Sequence, residues 1–110
     1  MTPEAKVKKQ VRQALKELGA YYAMPMGTGY GNSGVPDFLV CYRGRFVAIE
    51  CKAGNNLPTA LQAANLVEIK KVGGVALLIN DSNVKQLKEI LYEEVNGRKD
   101  SGAAGEGLEG

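Results

Sequence analysis

A chain of 110 residues, 45% hydrophobic and 24% charged, has the size and balance of one ordinary globular domain. It has no His, and its two cysteines, Cys41 and Cys51, form no CxxC pair, which excludes the usual zinc sites. The formal net charge of +2 hides an asymmetry: Lys6, Lys8, Lys9, Arg12 and Lys16 crowd the first segment, while Glu93, Glu94, Asp100, Glu106 and Glu109 come late.

Residues 3–18 read as an amphipathic helix, with Val7, Val11, Ala14, Leu15 and Leu18 on one stripe. Thr2 is its expected N-cap, Pro3 its first residue and Gly19 its stop. Its basic face either solvates the helix or meets a nucleic-acid backbone, with Lys6 and Lys9 the candidate contacts. Glu4 extends the apolar stripe one turn earlier; it either complements the helix dipole or is aimed at a site. Tyr21 to Met24 read as a first strand, closed by Pro25. Tyr21, Tyr22 and Tyr30 are candidates for base stacking, the first two reading rather as core or dimer contacts. Residues 27–34 are glycine-rich, yet no Lys-Ser/Thr pair follows and the next element is a strand, so they are not a nucleotide loop. They read as a plain connector or as a loop whose amides and Ser33 touch DNA phosphates.

Phe38–Tyr42 and Arg45–Ile49 are β-rich runs joined by Arg43-Gly44, which suits a two-residue primed hairpin. That register sets Tyr42 opposite Arg45, Val40 opposite Val47 and Asp37 opposite Glu50. Alternation then puts Asp37, Glu50 and Lys52 on one face with Leu39, Cys41, Phe46 and Ala48, and Phe38, Val40, Tyr42, Val47 and Ile49 on the other. A three-residue loop would instead separate the acids. The two cysteines fall on opposite faces, cannot pair, and read as small buried hydrophobes in a reducing compartment.

A polar turn at 53–57 leads to a second helix from Thr59 to Val72, where Thr59 and Gln62 have the spacing of a capping box and Gln62 lies toward the core side. The apolar run 75–79 reads as a strand covered on both faces and closes a right-handed βαβ crossover. Asp81 or Ser82 is the expected cap of a third helix with the stripe Val84, Leu87, Leu91 and Val95, ended by Asn96-Gly97. The domain is expected over 1–97, with 98–110 a flexible tail. The fold class is α/β: a mixed four-stranded sheet flanked by helices in the order αβββαβ(α). No run is long enough to span a membrane and no signal peptide precedes the first helix, so a cytoplasmic protein is expected.

Two carboxylates facing each other across neighbouring strands repel, by about 0.2–1 kcal/mol when exposed and by more when buried. A hard cation offsets this, and Mg²⁺ typically takes one or two carboxylates plus waters and substrate phosphate. Asp37 and Glu50, with the Cys51 backbone carbonyl, are thus candidate ligands for Mg²⁺ or Mn²⁺, and Lys52 is placed to act on the attacking water or on phosphoryl charge.

Pro36-Asp37 followed by Glu50-Cys51-Lys52 resembles the PD-(D/E)XK nuclease signature. Gly34-Val35-Pro36-Asp37-Phe38, the segment Ile49 to Lys52, and Gln62 after Leu61 resemble more closely the virus-type replication-repair nuclease (VRR-NUC) family, over about residues 4–92. The resemblance implies a restriction-endonuclease-like core and an active-site set of Glu4, Asp37, Glu50, Lys52 and Gln62, Glu4 being a further candidate metal ligand. Short stand-alone members, many encoded by phages or prophages, act as homodimers on branched DNA, including four-way (Holliday) junctions. The implied function is a metal-dependent, structure-selective DNA endonuclease in a bacterial host or phage-infected cell. The alternatives are a restriction-type nuclease that reads sequence and a non-catalytic DNA-binding module.

Overall fold

The computed structural model describes residues 1–26 and 34–97. Ser33, Tyr30, most of the glycine-rich segment and the tail 98–110 lie outside the described residues. The elements are α1 (Pro3–Leu18), β1 (Tyr21–Ala23), β2 (Phe38–Tyr42), β3 (Arg45–Cys51), α2 (Ala60–Lys71), β4 (Val75–Ile79), a 3-10 turn (Val84–Gln86) and α3 (Leu87–Asn96). The expected mixed four-stranded sheet is present, in the order β1-β2-β3-β4. The first three strands form an antiparallel meander, and β4 runs parallel to β3 after the α2 crossover.

Turn chemistry sets the register of the central hairpin. Arg43 and Gly44 both adopt positive φ, 52° and 81°. That conformation matches a tight turn to the twist of its strands. Tyr42 pairs with Arg45, Val40 with Val47 and Phe38 with Ile49, so the two-residue loop is the one formed.

The sheet's two faces are covered unequally. On one, Val7, Val11 and Leu15 of α1 and Leu87 and Leu91 of α3 pack with Phe38, Val40, Tyr42, Val47, Ile49 and Cys51 into a single core. Tyr22 packs against it, its ring 5.8 Å from that of Phe38 and tilted 54° to it, while Tyr21 stays 75% exposed. On the other face α2 lies over β3 and β4, where Ala48 and Glu50 are buried, but no residue of α2 itself is completely buried. Its approach is close at one point, where a Cβ on Gly74 would sit 2.8 Å from Ile69 Cγ2 and 3.1 Å from the Phe46 ring.

Strand β3 runs through Glu50 to Cys51, paired with Ile79 at the end of β4. Two expectations are corrected. Cys41 is exposed, because only α2 covers its face and α2 reaches β3 and β4 rather than β2. Neither Asp81 nor Ser82 caps α3: a 3-10 turn intervenes, Asn83 Oδ1 accepts from Asn80 N, Ser82 bonds to Asn80, and Asp81 Oδ1 accepts from Gly54 N at 2.8 Å. The α1 cap is as expected, with Ala5 N donating to Thr2 Oγ1 and Gly19 left-handed at φ 73°.

Candidate active site

The site forms where β2 begins and β3 ends. Gly34 anchors its entrance: with φ +80°, it lies where a Cβ would meet the backbone of Leu61 and Gln62 at 2.7 and 2.9 Å. Only glycine lets the chain touch the first turn of α2 so closely. Val35 and Pro36 then deliver Asp37 to the start of β2. Asp37 Oδ2 accepts from Cys51 N at 2.8 Å, which binds the two strand ends together.

Glu50 projects from the less covered face yet is only 1% exposed, the one charged residue in the buried set among the described residues. Its Oε2 lies 3.5 Å from Lys52 Nζ, and that lysine side chain is itself 12% exposed. Its Oε1 is buried with no hydrogen-bond partner among the described residues. Burial first, then the charge of Asp37, push the Glu50 carboxyl up to about 7, although Lys52 pulls the other way. Burial and the same two carboxylates also push the Cys51 thiol well above its ordinary range. The Lys52 backbone is fixed by its N–H donating to Ile79 O at 3.0 Å, so β4 positions the lysine.

Glu4 comes to the site from α1, through a residue that the sequence treated only as part of a basic run. Lys8 Nζ lies 3.7 Å from Glu4 Oε2 and 3.4 Å from Asp37 Oδ1. Burial works against the Lys8 charge, but Asp37 and then Glu4 outweigh it and hold the ammonium above its ordinary pKa. The signal for Lys8 was its i, i+4 spacing from Glu4 on the same helix edge. Gln62 is tied instead to its own helix start: its Oε1 accepts from Thr59 N at 2.9 Å, completing the capping box with Thr59 Oγ1. No bond joins it to Asp37, Glu50 or Lys52. Lys6 and Lys9 are exposed on α1 and take no part in this cluster.

With Glu50 ionised, Glu4, Asp37 and Glu50 face two ammonium groups, leaving the cluster one positive charge short. Among the described residues no three acidic, Cys or His side chains converge as a complete metal cage. The donor set nevertheless fits a hard divalent cation. A buried carboxylate oxygen without a partner costs a desolvation penalty that a cation removes, and an oxygen-only set with few carboxylates suits Mg²⁺ or Mn²⁺.

Neither a family model nor a curated protein sequence matches the chain. Solved structures do. A structure described as "VRR_NUC domain" superposes with a TM-score of 0.69 at 26% identity, covering 81% of this chain and 97% of that one. A "VRR_NUC domain protein" superposes at 0.64 with 16% identity, covering 86% and 88%. A Holliday junction resolvase, Hjc, from the archaeal hyperthermophile Archaeoglobus fulgidus is more distant, at 0.46 with 23% identity, covering 66% and 67%. The resemblance to VRR-NUC domains and the fold class read from the sequence are both borne out.

Proposed function

We propose that this protein is a metal-dependent endonuclease that hydrolyses phosphodiester bonds in branched DNA, four-way junctions among them. The observation that carries this reading is the Glu50 carboxylate, buried with one oxygen unpartnered, beside Asp37 and Lys52. A sheet built only for stability gains nothing from such a group. Its likeness to VRR_NUC domain structures supports the same reading.

In this reading Asp37 and Glu50 hold Mg²⁺ or Mn²⁺, with the Cys51 carbonyl and Glu4 as further ligands. A bound cation supplies Lewis acidity toward a phosphoryl oxygen and an acidified water. Asp37 is held in place by the Cys51 amide, so its position is set before substrate arrives. Lys52 orients the attacking water or stabilises charge developing on the phosphoryl oxygens. Gln62 has its amide oxygen committed to Thr59, which leaves its NH2 as the group it offers. Lys6, Lys9 and Ser33 are assigned to the DNA backbone. Attack of water in line with the 3′-oxygen as leaving group would give a 5′-phosphate and a 3′-hydroxyl. A homodimer in a bacterial or phage-infected cytoplasm completes the reading, since a two-fold pair of sites matches two symmetric cuts.

The test is to incubate the purified protein with labelled duplex, flap and four-way junction DNA in Mg²⁺, Mn²⁺ or EDTA. Junction cleavage that needs the metal is the expected result. Cleavage of duplex at one sequence only would make it a restriction-type enzyme, and binding without cutting would make it a DNA-binding module.

A further inference from the structure

Asp37 is gripped from two sides. One oxygen, Oδ2, is held by the Cys51 amide at 2.8 Å. The other, Oδ1, is covered by the Lys8 ammonium at 3.4 Å, and Lys8 also reaches Glu4 at 3.7 Å. The ammonium therefore bridges two carboxylates brought together from α1 and from the start of β2. Its side chain is 34% exposed, so it has an open route away from the acids. An ordinary surface ion pair is worth about 0–1 kcal/mol and orders little. This one sits in a cluster with a carboxylate surplus and a buried, unpartnered Glu50 oxygen.

We propose that Lys8 is a tethered counter-ion: it neutralises Asp37 and Glu4 in the metal-free protein and is displaced from Asp37 when a divalent cation binds. The inference rests on the reading of Asp37 as a metal ligand. Lys8 and the metal then compete for one carboxylate oxygen, and each weakens the other's hold. Lys8 is a positioning residue in this scheme, not a catalytic one. Its release frees an ammonium group beside the cation for the incoming phosphate.

The measurement is Mn²⁺ affinity of the DNA-free protein, read from the free-ion EPR signal, with folding checked by circular dichroism. Lys8→Met keeps the aliphatic stem and removes the charge. It should bind Mn²⁺ on the order of three- to tenfold more tightly, the gain expected from removing one like charge a few ångströms away. Lys16→Met, two helical turns further along α1, removes the same net charge remote from the acids and should change affinity less than about twofold. Lys8→Arg keeps the charge and can fork onto both carboxylates, so it should bind no more tightly than the native protein. Unchanged or weaker binding by Lys8→Met overturns the inference, as does an equal gain from Lys16→Met. Should Lys8→Met fail to fold, tighter binding by Lys8→Arg overturns it and equal or weaker binding supports it. Asp37→Asn separates the two levels: native Mn²⁺ affinity in that variant defeats the reading of Asp37 as a ligand, whatever Lys8 does.

Discussion

The two faces of one small sheet have been put to opposite uses. The face under α1 and α3 is closed, with Leu15, Leu87, Leu91, Phe38, Val47 and Ile49 all fully buried. The face under α2 is thin, no residue of the helix itself being completely buried, and it carries Phe46 and Cys41 in the open beside a deeply buried acid. Adjacent residues of β3 serve both: Ile49 and Cys51 point into the core while Glu50, between them, points to the site. Stability is concentrated on one side so that the other can tolerate a group that a well-packed core would reject.

The largest effect should come from the site without touching the core. Asp37→Asn keeps an acceptor for the Cys51 amide, so metal-dependent cleavage should fall by roughly a thousandfold while denaturation midpoints barely move. Retained cleavage would break the division between the faces. On the closed side the expectation reverses. Leu15→Ala should cost about 2–5 kcal/mol in urea unfolding, with the metal requirement of the surviving folded fraction unchanged.

A third test uses pH on the metal-free protein. Glu50 titrates near 4.5 when unfolded and near 7 in the fold, because burial and then Asp37 disfavour its charge. Folding therefore favours the protonated acid. This stabilisation is whole below about pH 4.5 and is lost as pH climbs through about 7, amounting to roughly 3 kcal/mol at about 1.4 kcal/mol per unit. Urea midpoints in EDTA should fall over that window in the native protein and stay flatter in Glu50→Gln. Parallel curves would contradict the burial of this carboxylate. The smallest effect belongs to the outer side of α2, where Val67 is 56% exposed. Val67→Ala should stay within about 0.5 kcal/mol, well below the closed-face loss.

The register of the central hairpin was legible from local chemistry: Arg43-Gly44 suits a two-residue loop, and the meeting of the acids on one face, rather than the turn residues alone, favoured it over a three-residue one. What was not legible depended on distant partners. Cys41 looks like a buried residue from its strand, and its exposure is decided by where α2 lands. Asp81 looks like a helix cap, and its carboxylate instead holds Gly54, just beyond Lys52. Lys8 carried a spacing signal from Glu4, but its approach to Asp37 needs the α1–sheet packing that no local pattern reveals. Gln62 carried two meanings, and the structure displays the capping one.

The two thiols have a practical consequence. Cys51 is sealed in the core with its ionisation suppressed, whereas Cys41 is open to solvent. A maleimide dye should therefore attach at a single position, without any engineered cysteine. That position shares a strand face with Asp37, about 13 Å away along β2. The native chain thus carries its own labelling point, near enough to report by quenching if a nucleic acid settles over the thin side as the proposed function requires.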